Sequence, residues 1–175
     1  MPLSIYRNKF NEFFNSTELD EQINESILLI ENSKRVFFIG NGGSNSICSH
    51  MMEDFAKLLR YESFAFSDAA LITCFSNDYG YENAMMEWLR VYFKKGDVLI
   101  AISSSGNSAN INNASDYVKS LNEKVITLSG FEKNNKLNGK GDVNFYLDSK
   151  SYGIVECFHL IILHAILDGL NERKK

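Results

Sequence analysis

Two short runs in the 175-residue chain concentrate groups that bind anions. Ser103-Ser104-Ser105-Gly106-Asn107-Ser108 follows the apolar stretch Asp97 to Ile102 and precedes a helical pattern from about Ala109 to Leu121. Hydroxyl donors combined with the free N–H groups of a helix N-terminus hold an anion without any cation, and phosphate is the natural occupant. Ser and Asn also serve as helix caps, but four serines in six residues exceed what a cap uses. Gly40-Asn41-Gly42-Gly43-Ser44 stands in the same relation to the apolar stretch Arg35 to Ile39. It is not the dinucleotide fingerprint, because Asn45 occupies the place of the third glycine, and no Walker lysine follows. Alone it reads equally well as a tight strand-to-helix turn. Beside the serine run it makes the second wall of a sugar-phosphate pocket.

The remaining chemistry lies on helical segments. His50 and Asp54 are separated by four residues and share one helix face. That spacing suits a metal held jointly, a His oriented by a carboxylate, or a plain surface pair. Glu156 and His164 are eight residues apart, about 80° around a helix, so both can border one cleft. A Glu on an apolar helix needs a partner, which favours a functional role. His159 points about 60° to the other side of Glu156 and reads as a satisfied core or interface histidine. Cys48, Cys74 and Cys157 have no CxxC spacing and no orienting base, so they are expected to be reduced and buried in packing.

These groups need a scaffold. Short apolar stretches at 35–39, 64–66, 97–102, 125–128 and 143–147 alternate with helical patterns at about 46–59, 84–93, 109–121 and 153–172. Strands apolar on both faces, alternating with helices, form an open parallel sheet with right-handed crossovers. Ligands bind such sheets outside the carboxyl ends of the strands, where both loops fall. Residues 4–31 read as two leading helices with Ile5, Phe10, Phe13 and Phe14 on one face, the second capped by Thr17 with Asp20 three residues on. The balance of 18 Lys and Arg against 22 Asp and Glu gives a net charge of −4 with no basic stripe, so no nucleic-acid partner is expected. The first residues lack the apolar region of a signal peptide, and the apolar run Cys157 to Leu167 is short for a bilayer. The expectation is a cytoplasmic protein without a membrane partner.

Val36 to Ser44, Asp97 to Asn110, Cys74 to Tyr81, Lys124 to Gly130 and the final Glu156, His159 and His164 together resemble the sugar isomerase (SIS) domain. Within that group they are similar to the sedoheptulose 7-phosphate isomerases, or phosphoheptose isomerases. The resemblance covers essentially the whole chain. It implies one α/β domain over residues 1–175, a flavodoxin-like three-layer sandwich with a five-stranded parallel sheet. Residues 1–31 would be an N-terminal helical extension and 32–175 the core. It also implies a homotetramer with sites between subunits.

On the same ground, Asn41, Gly42, Gly43, Ser44, Ser103, Ser104, Ser105 and Ser108 would take the phosphorylated sugar, with Asp78 lining the sugar site. His50, Asp54, Glu156 and His164 match the positions of a zinc-binding and proton-transfer set, with Asp54, Glu156 and His164 catalytic. Asp54 replaces the family's usual Glu, with Glu53 beside it; Glu156 replaces the usual Gln; Gly153 and Leu58 stand where Asp and Arg are common. The implied activity is aldose–ketose isomerisation of sedoheptulose 7-phosphate to D-glycero-D-manno-heptose 7-phosphate. In the family this step leads to the heptoses of lipopolysaccharide or capsule. Two alternatives remain: a non-catalytic SIS protein binding a replication initiator, and an isomerase or sensor for another ketose phosphate.

Overall fold

The computed structural model describes residues 2–174. Five parallel strands, β1 (Val36–Ile39), β2 (Ser63–Ala65), β3 (Val98–Ser103), β4 (Lys124–Gly130) and β5 (Val143–Leu147), form one sheet in the order β2-β1-β3-β4-β5. The helices are α1 (Pro2–Phe14), α2 (Thr17–Glu31), α3 (Gly43–Leu59), α4 (Ala69–Tyr79), α5 (Tyr81–Tyr92), α6 (Ala109–Ser120) and α7 (Tyr152–Arg173). The strand order is flavodoxin-like, with its switch point between β1 and β3.

Alternation along the buried strands sends side chains to two cores. Val36, Phe38, Val98, Ile100 and Ile126 face α2, α3 and α7, while Phe37, Ile39, Leu99, Ala101 and Val125 face α5 and α6. Helix α2 belongs to the first core through Leu19, Ile27 and Ile30. Helix α1 lies more loosely on α7, with Phe13 edge-on to Phe158 at 4.3 Å. Phe10 and Phe13 are therefore partly covered, and the exposed apolar residues of α1 are Leu3, Ile5 and Phe14.

Several expectations need correction. Ser16, not Thr17, occupies the α2 N-cap and makes no side-chain cap. The α1–α2 turn closes through the backbone, Leu19 N–H donating to the Ser16 carbonyl at 3.3 Å. Cys48 is buried, but Cys74 and Cys157 are exposed. Cys157 lies on the outward side of α7, since Val155 and Phe158 are the residues turned to the core. Cys74 belongs to α4, a surface helix whose pattern gave no warning; Asp68 caps it, accepting from Ala70 N and Leu71 N. Helix α7 is long and apolar enough to cross a membrane by length and composition, beyond the short run marked in the sequence, yet half of that stretch is buried within the fold.

Candidate active site

Both small-residue loops open at the carboxyl ends of β1 and β3. They line one pocket of about 230 Å³ with Asn41, Gly42, Gly43, Ser44, Ser103, Ser104, Ser105 and Ser108, joined by Ile102, Tyr152 and Glu156. Ser108 is the N-cap of α6, yet its hydroxyl caps nothing and instead accepts from Ser103 Oγ at 3.3 Å. Ser104 Oγ is buried without a hydrogen-bond partner among the described residues. A buried hydroxyl left unpaired costs free energy unless a ligand takes it up. The loop thus keeps donors in reserve, which a simple cap does not do. The amides at the start of α3 and α6 add the positive ends of two helices.

Two of the glycines shape this wall. Gly42, at φ 54°, turns the chain into α3. At Gly43 a Cβ would collide with the Glu156 carboxylate, so this glycine lets α7 bring Glu156 against the start of α3. The two loops are also tied to each other. Asn41 Nδ2 donates to Asn110 Oδ1 and Asn110 Nδ2 to Asn41 Oδ1, both at 2.9 Å. The Tyr81 hydroxyl adds a 2.8 Å bond to Asn41 Oδ1. Asn110 and Tyr81 end two of the segments that carry the resemblance but are not among the expected site residues; a polar side chain just inside a helix N-terminus is the further signal that points to them.

Two turns further along α3 and α7, a second constellation forms. His50, Asp54 and His164 each offer a ligand atom, all within 4.8 Å of one another. His50 Nε2 lies 3.4 Å from Asp54 Oδ2, and the two imidazole rings meet edge-on at 5.2 Å. Two imidazoles and a carboxylate at this spacing fit a divalent ion of the zinc type, with coordination positions left open. Glu156 is not in this group. The helical rise puts it about 12 Å from His164, in the loop pocket, with no hydrogen-bond or ion partner among the described residues. Asp78 is exposed on α4, held by Asn77 Nδ2 at 2.8 Å, and does not line the loop pocket.

His159 is buried on the sheet side of α7, as expected of a core residue, with Nε2 3.2 Å from the Ser129 carbonyl. Burial pushes its imidazole down to about 4, against a smaller upward pull from that bond. It is therefore neutral at pH 7, with the proton on Nε2 and a bare Nδ1.

The sheet is flavodoxin-ordered with a serine-rich loop at its switch point, and residues 6–130 match the SIS domain family model. The phosphoheptose isomerase of Fusobacterium nucleatum is 35% identical over 144 residues, spanning 79% of this chain and 74% of the relative. That of Histophilus somni is 32% identical over 167 residues, spanning 90% and 85%. The solved phosphoheptose isomerase of Francisella tularensis superposes with a TM-score of 0.86 at 25% identity, covering 97% of this chain and 94% of that one. The chain belongs to the phosphoheptose isomerase family of SIS-domain proteins.

Proposed function

We propose that this protein interconverts sedoheptulose 7-phosphate and D-glycero-D-manno-heptose 7-phosphate, in the cytoplasm, as an early step toward heptose-containing surface polysaccharide. The observation that carries the reading is the pairing of a serine-lined pocket, which α3 and α7 help to wall, with a His–Asp–His group further along those two helices. The phosphate end of the sugar sits on Ser103, Ser104, Ser105 and Ser108, with Asn41, Gly42, Gly43 and Ser44 as the facing wall. Ser104 Oγ gains the partner it lacks, and the amides of α3 and α6 stabilise the dianion.

Isomerisation moves a proton between C1 and C2 through an enediol. It needs a base at carbon, an acid at the oxygens and a polarised carbonyl. Asp54, mostly buried beside His50, takes the carbon-bound proton, and His164 carries the hydroxyl proton. The zinc ion that His50, Asp54 and His164 would hold supplies Lewis-acid polarisation of the carbonyl when bound. Glu156 stands at the pocket wall, positioned toward the sugar.

The heptose preference is read from reach. The pocket and the His–Asp–His group are about two helical turns apart along α3 and α7, which favours a long acyclic sugar phosphate or a site completed by a second subunit. We take the assembly to be a homotetramer in which α1 supplies contact surface, with residues 1–31 as the helical extension of a 32–175 core. A non-catalytic initiator-binding protein has no use for a His–Asp–His group.

Incubation with sedoheptulose 7-phosphate, followed by NMR detection of the aldose, tests the reading. Turnover is expected and increases on zinc addition to chelator-treated protein. No turnover with or without zinc refutes it. Turnover of a pentose or hexose phosphate in its place assigns another sugar.

A further inference from the structure

The serine loop does not hold its shape alone. Gly106 has φ +65°, and the space where a side chain would stand is filled by the carboxamide of Asn135, from the connection between β4 and β5. Asn135 is only 5% exposed. Its Nδ2 donates to Glu132 O at 2.8 Å, Gly130 O at 3.1 Å and Ser129 Oγ at 3.2 Å. Its Oδ1 accepts from Asn138 N at 2.9 Å and Leu137 N at 3.2 Å. A local turn uses only the Oδ1 end of an Asn side chain. Here the Nδ2 end reaches the tip of β4, where Ser129 is the register partner of Ser103 in the phosphate loop.

The backbone continues the connection. Leu137 N–H also donates to the Gly106 carbonyl at 3.0 Å, which Asn112 Nδ2 reaches at 3.0 Å from α6. On the exposed side, Lys136 N–H donates to Asn107 Oδ1 at 3.2 Å. The serine loop is thus held from behind by a segment that contributes no residue to the pocket.

We propose that Asn135 is a positioning residue: it fixes the β4–β5 connection against Gly106 and so sets the spacing of the serine donors that receive the phosphate. This rests on the reading of Ser103 to Ser108 as the phosphate site. Asn135 touches no substrate and acts only through the loop. Its removal empties the space behind Gly106, leaves the Asn138 amide without its Oδ1 acceptor and leaves Leu137 N–H with the Gly106 carbonyl alone, so the donors lose part of their fixed geometry.

The test measures inorganic phosphate affinity by calorimetry and steady-state kinetics with sedoheptulose 7-phosphate. It compares the wild type with Asn135→Ala and Asn107→Ala. Asn135→Ala is expected to raise the phosphate Kd and the sugar KM on the order of tenfold or more. The kcat at saturation should stay near that of the wild type, as for a loss of uniform binding. Asn107→Ala, an exposed change that removes one bond between the loops, should raise Kd a few-fold, about what one net hydrogen bond contributes. A folded Asn135→Ala with unchanged Kd overturns the proposal, even where its melting temperature falls, because a merely structural residue behaves that way. Should Asn135→Ala not fold, Asn107→Ala decides: an unchanged Kd overturns the proposal. Wild-type protein that fails to bind phosphate refutes the loop reading itself, a separate result from unaltered binding in the variants.

Discussion

Glu156 is a carboxylate in a pocket whose other walls suit an anion, and among the described residues no side chain pairs with it. Two unit charges about 4 Å apart repel by about 1 kcal/mol even in water. Glu156→Gln should therefore tighten phosphate binding several-fold. It should leave metal content unchanged, because the group that offers metal ligands is His50, Asp54 and His164. Calorimetry with phosphate and metal analysis of the purified variant check both parts. Loss of metal would instead draw Glu156 into the ligand set. Loss of turnover with metal and phosphate binding intact would make it a base. His164 is the contrasting case. It is half-buried and its ring contact is with His50, so His164→Gln removes chemistry more than packing. The expected result is a fall in kcat of about 10²–10⁴-fold with little change in melting temperature.

At the scale of elements, α7 places Glu156, His159 and His164 in three different environments, and the one facing the sheet makes stability depend on pH. The folded protein holds the His159 imidazole at about 4, whereas the unfolded chain has an ordinary value of 6.5. The unfolded state therefore binds the proton first as pH falls. The contribution is intact above about 6.5 and is lost progressively toward 4, up to about 3 kcal/mol in all. Denaturant titrations at several pH values should show this slope, and His159→Gln, which keeps a donor toward the Ser129 carbonyl but does not titrate, should flatten it. An equal slope in both proteins would assign the pH dependence to other groups. The same elements show what patterning reveals. Strand β5 falls at 143–147 as read from sequence, because Val143, Phe145 and Leu147 alternate with half-buried residues. Helix α4 escapes the pattern because its apolar residues Leu71, Ile72 and Phe75 lie only partly buried against the second core and none of its residues is fully buried. The loops and the His50–Asp54 spacing were legible because they are local. The separation of Glu156 from His164, and the Asn110 and Asn135 ties, depend on how distant segments dock, which no local spacing encodes.

Across the whole molecule, the glycine and serine loops of one chain line the proposed phosphate pocket, while His50 stays exposed on α3 and Leu3, Ile5 and Phe14 stay 69%, 62% and 50% exposed on α1. Leu3 and Phe14 on one side of α1 and Ile5 on the other leave apolar surface open, which fits an interaction surface. In the proposed tetramer α1 is that surface, and the two halves of the chemistry respond differently to its loss. Replacing Leu3 and Ile5 together by Asp places charge where burial is required, so sedimentation should shift from tetramer toward smaller species. The core is untouched by these substitutions, since neither residue packs into it, and the circular dichroism spectrum should be retained. Phosphate affinity should survive dissociation, because the glycine and serine loops come from the same chain. Turnover should collapse, because the sugar end of a site shared between subunits is dismantled. Tetramers that persist in the double variant would move the interface away from α1. Dissociated protein with full turnover would show that a single chain brings the His50–Asp54–His164 group to its own substrate, and the two-turn separation along α3 and α7 would then be spanned by the sugar alone.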